Sequence, residues 1–201
     1  MRVGDRAYRS IWLDEDGRSV NVIDQRRLPH RFAIRTLRSA GDAADAIRGM
    51  TVRGAPLIGA TAAYGLALAM SEDASDENLL RVGETLIATR PTAVNLRWAV
   101  KRLIDPLLQA ATAQRADIAY RLAAELCDED VAINAAIGEV GGELFANHWR
   151  AQVKNRPLNI LTHCNAGWLA TVDWGTALAP IYRAHDAGVP VHVFVDETRP
   201  R

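Results

Sequence analysis

The chain has 201 residues, 49% of them apolar and 24% charged, with 24 basic side chains balanced by 24 acidic ones. That is enough apolar material to close a core, so disorder is excluded, and a zero net charge gives no reason to expect nucleic acid or an anionic membrane surface as a partner. The longest apolar run, Leu57 to Met70, is interrupted by glycines and falls short of the roughly 20 residues a membrane span needs, so it reads as a buried helix. The amino-terminal residues lack an apolar signal core, and two cysteines make no disulfide framework, so a reducing cytoplasm is the expected compartment.

From Ser10 to Asp24 two alternating runs flank Asp14-Glu15-Asp16-Gly17, which predicts a hairpin. Arg31 to Leu37 alternates as a further strand, and a helix with an aspartate cap is expected from Gly41-Asp42. Helices dominate from there to about residue 150. One places Ala93, Leu96, Val100, Leu103 and Leu107 on a single face. Another is expected to carry Asp128, Glu129 and Asp130 in its first turn, with Ile133, Ile137, Val140 and Leu144 as its buried stripe. Gly141-Gly142 within it implies close packing, because glycine in a helix costs about 1 kcal/mol. The polar residues Arg150 to Asn159 read as a linker. Beyond them LNILTHC, a helix through ALAPIYRAHDAG, and VHVFVDE form a β-α-β unit, predicted parallel.

The fold class expected is α/β: a small amino-terminal α+β domain, residues 1–150, followed by the start of a Rossmann-like parallel domain, residues 151–201. Two parallel strands cannot cover both their faces, so the chain is expected to end partway through that second domain, with an open edge.

Three places could carry chemistry. Thr51-Val52-Arg53-Gly54-Ala55-Pro56 precedes the buried helix, and Pro56 suits a first helical turn. Free N–H groups at that start, close approach at Gly54 and the guanidinium of Arg53 make an anion site, an incidental surface arginine being the plainer alternative. Thr89-Arg90-Pro91-Thr92 repeats the arrangement before the Ala93 helix, with a solvated or carboxylate-paired Arg90 as the alternative. Cys164 lies on the loop beyond a buried strand, flanked by His163, Asn165 and Gly167; a nearby helix start would lower its thiol pKa, and a packed thiol is the alternative. Cys127 reads as core. The five histidines form no ligand-spaced pair, and neither a dinucleotide fingerprint nor a Walker A sequence occurs, so no metal or nucleotide is expected. Trp12, Trp98, Trp149, Trp168 and Trp174 read as core or interface.

TVRGAPLIGATAAYGLALA, TRPTAVNL, LTHCNAG with WGTAL downstream, and VDETRPR, in this order, resemble the methylthioribose-1-phosphate isomerase family along nearly the whole chain. The resemblance implies a smaller amino-terminal domain joined to a Rossmann-like one, with the active site between them and chains paired as homodimers. It implies conversion of 5-methylthioribose 1-phosphate to 5-methylthioribulose 1-phosphate in methionine salvage, without metal or organic cofactor. It assigns substrate binding to Arg53, Gly54, Ala55 and Arg90, and the active-site cysteine to Cys164. The family's acid, an aspartate in an N-G-D segment, has no counterpart among these residues, so little turnover is expected of them alone. A ribose 1,5-bisphosphate isomerase and a non-catalytic module like the initiation-factor 2B regulatory subunits are the alternatives. The reading requires Arg53, Arg90 and Cys164 to face a common cavity.

Overall fold

The computed structural model describes residues 1–152 and 156–196. The chain opens with a hairpin that the sequence did not announce, β1 (Arg2–Val3) against β2 (Arg6–Ala7). An antiparallel sheet follows, in the order β3 (Ile11–Leu13), β4 (Val20–Ile23) and β5 (Ile34–Leu37). The expected turn joins β3 to β4: Gly17 takes φ +67°, and the Asp16 carboxylate accepts hydrogen bonds from the Arg18 and Ser19 amides. The third strand starts at Ile34 rather than Arg31, because Asp24 to Arg27 form a capped 3-10 turn and the chain passes through a cis Leu28–Pro29 bond before pairing resumes.

Helix α1 (Ala40–Arg48) is capped by Ser39, whose hydroxyl accepts from the Asp42 amide, so Asp42 stands in the first turn and is not the cap. Helix α2 (Ala55–Glu72) is the axis of the molecule. Every residue from Leu57 to Met70 is buried, as a run apolar on all sides must be, with α1, α3 (Asp76–Thr89), α4 (Val94–Gln109) and α5 (Arg115–Arg150) packed around it. In α4 the predicted face is the buried one: Leu96, Val100, Leu103 and Leu107 lie in the core. Cys127 is also core, and burial pushes its thiol up to about 12. No helix among the described residues is long and apolar enough to cross a membrane.

Helix α5 corrects the expectation most. It begins at Arg115, so Asp128, Glu129 and Asp130 stand in its middle rather than in its first turn. Its second half also turns the other way: Ile133, Ile137, Val140 and Leu144 are exposed, while Asn134, Gly138, Gly142 and Ala146, spaced four apart, are buried. Backbone approach decides this. A Cβ on Gly141 would lie 2.5 Å from Pro180, so the small face of α5 seats α6 (Ala179–Asp186) closely, and the large apolar residues are left outside.

Strands β6 (Leu158–Thr162) and β7 (Val191–Val195) pair in parallel across α6, as the β-α-β pattern requires. Leu158, Ala184, Val189 and Ala146 form a second, smaller core. The other side of this sheet exposes Leu161 and Phe194. None of the five tryptophans is fully buried, and Trp98 is exposed. The expected linker shrinks, since α5 runs through Arg150 and β6 starts at Leu158. Its residues 153–155, and the DETRPR motif from Glu197 onward, lie outside the described residues.

Arg115 pins the loops around this bundle. Its buried guanidinium donates to the carbonyl oxygens of Ala74, Leu108 and Ala110 and pairs with Asp76. Replacing it by Met leaves three carbonyls without that donor. Urea unfolding of Arg115→Met is expected to show a loss of about 2–4 kcal/mol.

Candidate functional site

The TVRGAP segment is locked before it reaches α2. Thr51 and Val52 are fully buried, the Val52 amide donates to the Ala46 carbonyl, and the Thr51 carbonyl accepts from the Gln25 amide. Arg53 follows, partly buried, and desolvation draws its pKa below the usual arginine value. Gly54 caps α2 with φ +97° and no side-chain hydrogen bond, and Pro56 sits in the first turn, as expected. The first-turn amides therefore keep no protein cap.

Gly54 also meets the chain beyond β6. A Cβ there would lie 2.3 Å from the Ala170 Cα and 2.4 Å from its carbonyl oxygen, a space only glycine can occupy. Other bonds hold this junction closed. The Ser10 hydroxyl donates to the Trp168 carbonyl (3.2 Å) and the Ser10 amide to the Val172 carbonyl (2.8 Å). Gln25 Nε2 donates to the Leu169 carbonyl (2.6 Å), and Asp130 of α5 accepts from the Val172 amide (2.7 Å). The loop that starts at Cys164 is thus pressed at its far end onto the strand sheet, α2 and α5.

Arg90 follows α3 as its C-cap at φ −143°, ψ 78°, outside both the helical and the extended regions, and its carbonyl accepts from the Ala93 amide, turning the chain into α4. Ala93 gives α4 no side-chain cap, so the parallel with Arg53 holds locally. The two helix starts adjoin: a Cβ on Gly59 would lie 3.3 Å from the Asn95 carbonyl oxygen. A cavity of about 180 Å³ beside them is lined by Pro56, Asn95, Trp98, Leu126, Glu129, Asp130 and Ile133, and neither arginine is among its walls.

Cys164 is exposed, in the left-handed region at φ +71°. The helix start expected beside it is not there: a three-residue 3-10 turn, Trp168–Ala170, intervenes, and α6 begins only at Ala179. Next to it His163 Nδ1 lies 3.3 Å from an Asp196 carboxylate oxygen, tying the ends of β6 and β7. The structure therefore brings Arg53 and Gly54 against the Cys164 loop through Gln25 and Ala170. Among the described residues, neither Arg90 nor Cys164 forms a side-chain hydrogen bond or ion pair with Arg53 or with each other. Nothing in the sequence marks Gln25 or Ser10 as site residues, and it offers Asp130 only as a first-turn acid of its helix. Their importance comes from what they touch across the fold, which no spacing rule encodes.

Residues 51–201 match the initiation factor 2 subunit family. The chain belongs to that family. Along all 201 residues it is 61% identical to the methylthioribose-1-phosphate isomerase of Paramagnetospirillum magneticum and 54% identical to that of Escherichia coli O45:K1. It spans about half of these relatives, 55% and 54% of their lengths. Among solved structures of similar fold, 5-methylthioribose 1-phosphate isomerase from Pyrococcus horikoshii OT3 matches 97% of this chain and 54% of its own, at TM-score 0.83 and 36% identity. The delta subunit of initiation factor eIF-2B from A. fulgidus matches 96% of this chain and 56% of its own, at TM-score 0.81 and 38% identity.

Two expectations about stability follow from the two positive-φ glycines at the junction and in the β3–β4 turn. Gly54→Ala adds left-handed strain and a clash with Ala170, while Gly17→Ala, at φ +67° with nothing within 4 Å, adds strain alone. Urea unfolding should show losses of about 3 kcal/mol for the first and about 1 kcal/mol for the second.

Two carboxylates bound into this region respond oppositely to acid. The Arg26 guanidinium holds the Asp24 carboxyl below the ordinary carboxylate range, whereas burial raises that of Asp130 above it. The unfolded chain binds the Asp24 proton more readily than the folded one, so the stability it supplies is lost as pH falls from about 5 through its folded value. The folded chain binds the Asp130 proton more readily, so acidification toward the ordinary value stabilises through that group. Unfolding midpoints measured from neutral pH downward are expected to fall less steeply in Asp24→Asn than in the wild type, and more steeply in Asp130→Asn.

Proposed function

We propose that these residues carry the phosphate-binding and thiol-bearing part of an aldose–ketose isomerase that converts 5-methylthioribose 1-phosphate to 5-methylthioribulose 1-phosphate in methionine salvage. The observation that carries this is 61% identity, over every residue of the chain, to an isomerase of that name. The uncapped start of α2 supports it, with Gly54 at its tip and Arg53 beside it.

In this reading the backbone amides of Gly54 and Ala55 at the start of α2, with the guanidiniums of Arg53 and Arg90, hold the phosphate dianion. Phosphate on the anomeric oxygen blocks simple ring opening, so an acid must protonate the ring oxygen before hydrogen passes from the second carbon to the first. Cys164 faces the reacting carbons and moves a proton or steadies the charge that develops there. The carboxylates described here have structural partners, and none of them is assigned the role of that acid. No metal or organic cofactor enters. Residues 1–150 form the amino-terminal domain and residues 151–201 begin the Rossmann-like one, in a cytoplasmic protein that pairs as a homodimer at the relatives' length.

A second reading, a non-catalytic binding module, is favoured by the TM-score of 0.81 to an initiation-factor subunit. One experiment separates the two. The chain is joined to the carboxyl-terminal part of the Paramagnetospirillum magneticum relative, and ketose formation from 5-methylthioribose 1-phosphate is followed. The fusion is expected to turn over, and the 201 residues alone to fall short by about 10²–10⁴-fold, the worth of an acid. Cys164→Ser in the fusion should lower kcat by at least about 10²-fold. A folded fusion that forms no ketose would favour the binding module, and an unchanged rate in the Cys164→Ser variant would remove Cys164 from the chemistry.

A further inference from the structure

Gln25 is buried, 2% exposed, at the start of the 3-10 turn Gln25–Arg27, and the isomerase reading gives it no task. The turn is held firmly: the Asp24 carboxylate accepts from the Arg26 amide (3.2 Å) and from that residue's Nε (2.9 Å) and Nη2 (2.8 Å). From this anchored position Gln25 reaches three parts of the site. Its amide donates to the Thr51 carbonyl (3.0 Å), its Nε2 donates to the Leu169 carbonyl (2.6 Å), and its Oε1 accepts from Arg53 Nε (3.3 Å).

A carboxamide carries its donor and acceptor at one fixed separation. With Nε2 committed to Leu169, Oε1 has a single location, and Arg53 is held there by its Nε. Glutamate could keep the second bond but not the first, and methionine neither. A guanidinium offers an oxyanion two forked edges, one that includes Nε and one made of the two terminal nitrogens. Closing the Nε edge leaves the terminal one.

We propose that Gln25 is a positioning residue: it registers the Arg53 guanidinium against the loop that follows β6, and commits it to binding a phosphate group end-on through Nη1 and Nη2. The ligand class is a phosphate monoester dianion, and this assignment rests on the reading of Arg53 as an anion ligand. The registration itself does not.

The test uses the 201-residue chain and phenylglyoxal, an arginine-selective reagent, with modification at Arg53 read by peptide mass spectrometry and amide hydrogen exchange followed across residues 168–172. In the wild type, excess inorganic phosphate is expected to slow modification of Arg53. In Gln25→Ala and in Gln25→Met, which keeps side-chain volume should the smaller residue fail to fold, Arg53 is expected to react about tenfold faster without phosphate. Its protection by phosphate should also weaken. Gln25→Glu retains an acceptor for Arg53, so its Arg53 should react at close to the wild-type rate while exchange at 168–172 quickens. A purely structural role would quicken exchange in all three variants and would not separate Glu from Ala and Met at Arg53. Unchanged Arg53 reactivity in a folded Gln25→Met chain overturns the proposal, as does equal acceleration in the Glu and Met variants. Release of Arg53 in the Met variant without phosphate protection in the wild type upholds the registration and removes the anion reading.

Discussion

The site depends on a contact between two backbones. Gly54 can meet Ala170 at that distance only because it has no Cβ, and it can take φ +97° for the same reason. That one residue ends the TVRGAP segment, starts α2 and receives the loop from β6, so the position of the helix start and the position of the loop are a single variable. The polar ties around it add direction to the contact. Ser10, Gln25 and Asp130 come from three separate parts of the chain: the Ser10 amide is the partner of the Val172 carbonyl, Gln25 of the Leu169 carbonyl and Asp130 of the Val172 amide, main-chain groups that would otherwise be left without one.

The same device, small residues admitting a close backbone, places the β-α-β unit. Gly138, Gly141 and Gly142 bring α6 onto the second half of α5, whose first half packs on α2. A single 36-residue helix therefore carries the arrangement of the central bundle over to the parallel strands. Asp130 stands where these two halves meet. Its carboxylate holds Val172 while its neighbour Asn134 donates back to it, which offsets part of the cost of burying the charge. Helix, loop and helix start are thereby coupled, with the Val172 side chain itself buried in the main core.

Those facts also mark what the sequence could disclose. The hairpin at Gly17, the wholly buried α2, the buried face of α4 and the parallel β6–β7 pair each depend on a local period or a turn residue, and each was legible. Helix α5 was misread because periodicity reports which residues share a face but not which face is covered. Ile133, Ile137, Val140 and Leu144 do share one, and the glycine face opposite them won the contact by approach distance instead of area. At the site, Arg53, Gly54 and Pro56 could be read from helix-start chemistry, and Cys164 from its place beyond a strand. Gln25 could not, because a glutamine in a polar run shows nothing of its burial.

The two ends of the candidate site differ in how firmly they are held. At the anion end the TVRG segment is anchored in the core: Thr51 and Val52 are buried, Gly54 has no room to shift against Ala170, and the half-buried Arg53 is tethered by a buried amide. At the thiol end Cys164 is exposed in a left-handed conformation, its side chain free of hydrogen bonds among the described residues, with the His163–Asp196 pair beside it. On the proposed isomerase reading, binding energy from a phosphate would accrue where the protein is already ordered, so it need not be spent on arranging the ligands and could be used to draw the reacting carbons toward the looser loop. The strain at Cys164 is then tolerable because it is localised. The loop is clamped at Trp168–Val172 and paired at β6, so the left-handed residue turns the chain between two fixed points.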